Sequence, residues 1–184
     1  MKKPMIILSL ALALFSQGLL AHGPEGVEDV PAGLVKASIA QQPDIDGLQI
    51  LLLEGPRQGI LLSYQGTGSL TVLGSEQEPL LRFSHNGVEA NETSPTWQKM
   101  QGHSSPSETD AGDPRWTPVA SSSRYAWMDP RLSAAEAPVS TDKPQTLSQW
   151  RMGLNHGGDT QTVSGDLHWH PLPKTDNRHS SGHH

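Results

Sequence analysis

Two histidines near the end of the chain have the spacing of a metal-binding pair. They stand in "LHWHP" as His168 and His170, separated by Trp169. Residues two apart in a β-strand lie on the same face, about 6.5–7 Å apart along the chain, so the two imidazoles can converge on one ion. The same pattern fits a strand that buries Trp169 and leaves both histidines in water, and the sequence leaves both interpretations open.

A third histidine gains a second ligand atom if the chain is cut immediately before it. His22 follows Ala21 at the end of the segment "SQGLLAHG". As the first residue of a mature chain, His22 would offer an α-amine and an imidazole together. Cu²⁺ favours such nitrogen ligands, and one further imidazole would complete the three-nitrogen arrangement called a histidine brace. The alternative is an ordinary N-terminus that binds nothing.

The residues before His22 make this cut an expectation. Lys2 and Lys3 precede an apolar stretch at 5–15, and the small residue Ala21 closes the segment. This order is typical of a secretory signal peptide, and the apolar stretch is about half of the ~20 residues that a membrane span needs. We therefore expect removal of residues 1–21, a periplasmic or secreted protein, and no transmembrane segment after cleavage. An uncleaved anchor is the alternative.

Composition excludes several classes of function. The 184 residues include 13 basic, 19 acidic and nine histidine residues, and no cysteine. Loss of Lys2 and Lys3 would leave 11 basic residues against 19 acidic ones, a net charge of −8. So acidic a chain is poorly suited to nucleic acid, and a chain without cysteine has no disulfides, thiolate metal sites or thiol catalysis.

The elements that would position the histidines are strands. Short segments rich in leucine, isoleucine, valine and aromatic residues recur between turn signals at intervals of about 8–12 residues. Asn86-Gly87 predicts a hairpin between 79–84 and 88–91, and Gly157-Gly158-Asp159 predicts one between 147–154 and 160–171. The other predicted strands are 34–40, 46–55, 58–66, 68–74, 115–120 and 123–128.

These segments predict an all-β, immunoglobulin-like β-sandwich of seven to nine strands, spanning residues 22–172. Two long polar loops, 101–114 and 133–145, interrupt it. The five tryptophans recur about once per strand region, which favours a role as core anchors. The histidine-containing tail, 173–184, is expected to be disordered.

Three stretches carry a family resemblance. They are "VLGSEQEPLLRFSHNGVEANETSPTW" at 72–97, "RWTPVASSSRYAWMDPRL" at 115–132 and "WRMGLNHGGDTQTVSGDLHWHP" at 150–171. The chain resembles a family of exported, often membrane-tethered bacterial envelope proteins, common in actinobacteria. The motifs of that family are Gly-x-x-x-Glu-Pro-Tyr-Leu-Arg, Gly-Val-x-x-Asn-x-x-Ser-Pro, Trp-His-Asp-His-Arg and Gly-x-Leu-x-Trp-x-Pro.

This chain departs from those motifs at chemically important places. Leu80 replaces the tyrosine of the first motif, and Met128 and Pro130 replace both histidines of the third. The resemblance therefore carries over only Asp129 and Arg131 from that segment. Many members of the family have a C-terminal membrane helix, whereas we expect this protein to be free in the periplasm.

We expect a non-enzymatic periplasmic protein that binds a metal, copper first, as a carrier or resistance factor. His22 would supply two nitrogens, and His168, His170 or Asp129 would complete the site. Its partners would be the metal ion and an envelope or copper-transport membrane protein.

Two alternatives remain open from the sequence. The first is a metal-free structural or protein-interaction module of the cell envelope, in which Glu78-Pro79 and Arg131 are interface or fold residues. The second is a copper oxygenase that acts on polysaccharide. Other enzyme classes are disfavoured, because the chain lacks Gly-x-Ser-x-Gly, a phosphate-binding glycine loop and His-Glu-x-x-His.

Overall fold

The computed structural model describes residues 33–55, 57–103, 113–133 and 142–173, which form an all-β sandwich. Within these ranges the chain has one α-helix, α1 (Pro95–Met100), and a 3-10 helix (Pro130–Leu132). No helix of the described ranges is long and apolar enough to cross a membrane. The strands are β1 (Gly33–Ala37), β2 (Leu48–Leu53), β3 (Gly59–Tyr64), β4 (Leu70–Leu73), β5 (Pro79–Ser84), β6 (Gly87–Asn91), β7 (Trp116–Ala120), β8 (Arg124–Met128), β9 (Gln145–His156) and β10 (Asp159–Pro171).

The strands form two antiparallel sheets of unequal size. The large sheet has the order β1-β10-β9-β4-β5-β6-β7, and the small sheet has the order β2-β3-β8. The predicted sandwich is confirmed, and each predicted apolar segment contains one strand, so the total of ten exceeds the seven to nine expected. The division into seven and three strands is more unequal than that of a constant-type immunoglobulin domain, which has four and three.

Both predicted hairpins are confirmed. β5 and β6 pair with Ser84 opposite Gly87, so His85 and Asn86 form the turn and Gly87, with a φ of 134°, begins β6. β9 and β10 pair around Gly157 and Gly158, whose φ angles of 64° and 94° lie in the left-handed region that favours glycine. The turn signals in the sequence therefore located both hairpins.

The core lies between the two sheets and follows the alternation of side chains along the strands. Phe83 of the large sheet meets Trp127 of the small sheet, with ring centroids 6.4 Å apart. Burial of one such large apolar side chain contributes about 1.5–3 kcal/mol. Other fully buried side chains are Ile60, Leu62, Leu70, Val72, Leu81, Met152 and Leu154.

The tryptophans are core anchors in three of five cases. Trp127, Trp150 and Trp169 are buried. Trp97 is half-buried at the edge of the core, and Trp116 lies under the guanidinium of Arg82, 4.4 Å from it. The last contact is a cation–π pair on the outer face of the large sheet.

Several expectations fall outside the described residues. These are the signal peptide at 1–21, His22, most of both polar loops, and all but the first residue of the tail at 173–184. Helix α1 was not predicted, although Ser94 and Pro95 are a typical N-cap and first residue of a helix.

Candidate functional site

The two histidines of β10 lie side by side on the outer face of the large sheet. The ring centroids of His168 and His170 are 6.4 Å apart, and Trp169 between them is buried on the opposite face. The hydroxyl oxygens of Ser38 and Thr146 lie 3.2 Å from Nε2 and 3.3 Å from Nδ1 of His168. Both nitrogens of this ring therefore already have polar neighbours.

The strand beside the histidine pair carries an ion-paired lysine. Lys36 of β1 stands directly opposite His168 in the strand register, and its ammonium contacts Glu54 at 3.0 Å. The charge of this lysine is therefore balanced by Glu54, and Asp166 stands two residues before His168 on the same face of β10.

Asp129 occupies a different environment from the histidines. Its side chain is fully buried at the end of β8, where Trp127 Nε1 donates to one carboxylate oxygen at 2.8 Å. Arg131 donates to both oxygens, from Nε at 2.8 Å and from Nη2 at 2.7 Å. Burial by itself would raise the pKa of Asp129, but the hydrogen bonds and charge of Arg131 outweigh it and hold the pKa below its ordinary value.

The structure does not bring the predicted metal ligands together into one site. The carboxylate of Asp129 is engaged by Arg131 and Trp127, whereas His168 and His170 stand on the outer face of β10. In the part of the chain that the structure describes, no three His, Cys, Asp or Glu side chains are grouped to hold a metal ion. His22 lies outside the described residues.

Glu78 forms a second polar centre, half-buried, at the same end of the sandwich as Asp129. Its Oε1 accepts hydrogen bonds from Ser94 Oγ at 2.7 Å and from the backbone N–H of Thr96 at 3.1 Å. Burial would raise the pKa of Glu78, but these bonds lower it overall. The carboxylate therefore anchors the start of α1 to the turn between β4 and β5.

Arg131 links the two polar centres. Its Nη1 donates to the carbonyl of Leu73 at 2.9 Å, one residue before the turn that carries Glu78. We call the turn 74–78, helix α1 and the 3-10 helix the capped end of the molecule. Residues from the first two stretches that carry the family resemblance meet here, and the charged groups of Glu78, Asp129 and Arg131 bond to groups of the fold.

Gln58 closes the free edge of β1. Its side-chain Oε1 accepts from the N–H of Ala37 at 2.6 Å, and its Nε2 donates to the carbonyl of Val35 at 2.8 Å. These are the backbone groups of β1 that point away from β10, because Ser38 N–H, one residue on, bonds to β10 instead. One buried amide thus takes the place of a neighbouring strand.

A small pocket opens beside the capped end. It has a volume of about 180 Å³, and Met100 and Met128 both line it together with Arg57 and Lys99. Methionine sulfur is a soft ligand suited to Cu⁺. The two cationic side chains that share the pocket work against a metal cation there.

The outer face of the small sheet has the opposite character from the capped end. Leu51 is 58% exposed and Met128 is 49% exposed, and Leu51, Leu61 and Ala126 stand in one row across the three strands. A concavity of about 480 Å³ covers the adjoining part of this face. We call it the small-sheet face, which consists of Gln49, Leu51, Leu53, Gly59, Leu61, Ser63, Arg124, Ala126 and Met128.

The histidines of the sequence do not predict the small-sheet face, although two of its strands carry a signal for it. The runs "LQILLL" and "GILLSY" are apolar at most consecutive positions and do not alternate cleanly. Strands with apolar residues on both faces are typical of sheets that are covered on both sides. In this chain, no described element covers the second side.

Comparison of the chain with models of protein families, with curated proteins and with solved structures finds no match.

Proposed function

We propose that this chain is an exported, non-enzymatic binding domain of the cell envelope, which presents its small-sheet face to a partner protein. The observation that carries the proposal is the apolar row of Leu51, Leu61 and Ala126, extended by Met128, in which only Leu61 is half-buried. Contiguous apolar surface on a soluble domain marks a site of interaction, whereas isolated exposed leucines do not.

The charge of the face indicates the chemistry of the partner. None of its nine residues is acidic, although the chain has 19 acidic residues and a net charge of −6. Arg124 is exposed on the face, and Arg57 is exposed beside it, in the turn after β2. The complementary surface is apolar at its centre and acidic at its rim.

The residues at the capped end support a binding role over a catalytic one. Glu78, Asp129 and Arg131 make hydrogen bonds that hold the fold together, and their polar atoms point into the protein. Export is supported by the pattern of residues 1–21, as argued from the sequence.

Site-specific photo-cross-linking tests the proposal in cells that make the protein. A photoreactive residue at Ala126 probes the small-sheet face, and the same residue at Arg151, exposed on β9 of the large sheet, is the matched control. We expect a discrete adduct from position 126 and none from position 151. The adduct should disappear with Arg124→Glu and persist with Arg124→Lys. Equal adducts at both positions, no adduct, or insensitivity to Arg124→Glu would overturn the proposal.

Copper binding is the second candidate, and the adjacency of His168 and His170 favours it. In this proposal, His22 is the first residue of the exported chain, and its two nitrogens join one or both imidazoles of β10. Asp129 takes no part, because Arg131 and Trp127 already occupy its carboxylate.

Titration with Cu²⁺ tests the second candidate. One extra N-terminal residue, or the double substitution His168→Ala and His170→Ala, should each weaken binding by roughly tenfold or more. His85→Ala, in the turn between β5 and β6, is the control and should leave the affinity unchanged. Equal, weak affinity in all four proteins would reject a site built on His22 and β10.

A further inference from the structure

Four of the described strands lie at sheet edges, and they differ in how their free edges are protected. β1 is covered by the side chain of Gln58. β7 contains Pro118, which has no N–H to offer a partner strand. In β8, the carbonyl of Arg124 accepts a bond from Ser122 Oγ. β2, with the sequence "LQILLL", has no charge, no proline and no covering side chain among the described residues.

The hydrogen-bond pattern shows which groups of β2 are unpaired. Gln65 N–H bonds to the carbonyl of Gly47, which fixes the alternation along the β2–β3 ladder. Gln49, Leu51 and Leu53 therefore bond to β3. The N–H and C=O groups of Ile50 and Leu52 point away from it, and no described residue bonds to them.

Charges at the two ends of β2 are opposite in sign. Asp46 immediately precedes the strand, and Arg57 lies in the turn that follows it. Neither side chain takes part in the ion pairs formed among the described residues. Glu54, at the end of the strand, is paired with Lys36. When two copies of such a strand run antiparallel, the acidic start of each lies beside the basic end of the other.

We propose that two copies of this chain pair through β2, with the strands antiparallel and Leu51 of one copy opposite Leu51 of the other. The two small sheets then join into one six-stranded sheet. In this register, Ile50 and Leu52 exchange backbone hydrogen bonds between the copies. The exposed leucines meet on the two-fold axis, where cross-strand side chains are about 4.5–5.5 Å apart.

Neighbouring registers are less favourable. A shift that places Ile50 opposite Ile50 brings Asp46 against Glu54 of the second copy, so that like charges face each other. A shift that places Leu52 opposite Leu52 brings Pro56, which has no N–H, opposite Leu48. The charges and the proline thus select the register with Leu51 on the axis.

This self-pairing is independent of the partner protein proposed above, because it uses the edge of the small sheet and leaves its outer face open. The six-stranded sheet carries two copies of the apolar row side by side. One assembled pair would therefore offer a continuous apolar face about twice as wide as that of a single chain.

Disulfide trapping tests both the pairing and its register, because the chain contains no cysteine of its own. With Leu51→Cys, each copy of the pair has a single thiol, and the two thiols lie opposite each other, within reach of a disulfide. Gln49→Cys is the matched control on the same face of the same strand. In the proposed register, two copies of residue 49 are four residues apart, about 13 Å.

Under mild oxidation, we expect most of Leu51→Cys to become covalent dimer and Gln49→Cys to remain monomer. A mixture of Gln49→Cys and Leu53→Cys should give the mixed dimer, because these positions face each other. No dimer from Leu51→Cys, or equal dimer from Leu51→Cys and Gln49→Cys, would overturn the proposal.

Sedimentation equilibrium of the cysteine-free chain is the second measurement. The weight-average mass should rise with concentration towards twice the mass of the single chain. Leu51→Lys should return it to the monomer, because an edge lysine opposes strand pairing. Leu34→Lys, at an exposed leucine of the edge strand that Gln58 covers, should leave the dimer intact. The pairing would be overturned by a monomer at all concentrations, or by an equal loss of dimer in Leu51→Lys and Leu34→Lys.

Discussion

The capped end and the small sheet direct their polar and apolar groups in opposite ways. At the capped end, the carboxylates of Glu78 and Asp129 point inward and receive several hydrogen bonds each. In the small sheet, Leu51 and Met128 point outward, and the edge of β2 lacks a bonding partner among the described residues.

The difference separates residues that build the fold from residues that are available to a partner. A buried ion pair does not move easily, because breaking it leaves a charge without solvent or partner. An exposed apolar row costs little to keep and gains free energy when it is covered. The charged residues of the capped end therefore stabilise the fold, and the leucines of the small-sheet face are the better candidates for binding a partner.

The largest effect in this comparison is expected from Arg131→Met. The substitution leaves Asp129 buried without its main partner, so it should lower the free energy of unfolding by about 3–5 kcal/mol. Urea denaturation measures the change. Arg124→Met, on the small-sheet face, is the control and should change it by less than about 0.5 kcal/mol. Similar losses of unfolding free energy in the two variants would contradict the distinction between residues that stabilise the fold and residues that are available to a partner.

Gln58→Ala should have the next largest effect. The substitution leaves the N–H of Ala37 and the carbonyl of Val35 without the bonds that Gln58 makes, and such losses cost about 1–3 kcal/mol. Gln49→Ala, an exposed glutamine of β2, should be nearly neutral in the same urea experiment. Gln58→Ala also uncovers β1, so sedimentation should detect more self-association than in the unaltered chain.

Acid should destabilise the capped end in a defined range of pH. The pKa values of Asp129 and Glu78 are lowered on folding, so the unfolded chain binds more protons than the folded one. Their contribution is fully present above about pH 4.5 and is lost as the pH falls through the lower folded pKa values. Urea midpoints at pH 7, 5 and 3 measure it. Between pH 5 and pH 3, the urea midpoint of Arg131→Met should fall less than that of the unaltered chain. An equal fall in the two proteins would contradict an origin in the carboxylate of Asp129.

The smallest effect on stability is expected from Leu51→Lys. The side chain is mostly exposed and the backbone bonds of residue 51 to β3 remain, so the free energy of unfolding should change by less than about 0.5 kcal/mol. A loss of several kcal/mol, measured by urea denaturation at low protein concentration, would show that Leu51 is a core residue and not part of an open surface.

Local patterns were enough to predict the sandwich. Asn86-Gly87 and Gly157-Gly158 located two hairpins, and at Gly157-Gly158 few residues other than glycine adopt the backbone angles of the turn. The apolar segments located each strand, because only extended chain buries alternate side chains on one face. Helix α1 was missed because six residues carry too little periodicity to be recognised.

Site residues were harder to predict, because chemical type alone does not say which groups meet. Asp129 has the right oxygens for a metal, but Arg131 lies two residues away and takes them. Gln58 has no sequence signature at all, since its role depends on β1, which lies more than twenty residues earlier in the chain.

The sequence by itself determined the all-β class, the strand positions and the two hairpins, because turn angles and side-chain alternation are properties of short segments. It also placed His168 and His170 on one face of a strand, for the same reason. Only the tertiary structure decided that Glu78, Asp129 and Arg131 face inward, that Gln58 covers β1, and that no described residue covers β2 or the small-sheet face. Those outcomes depend on which distant segments come together, and no local pattern encodes that.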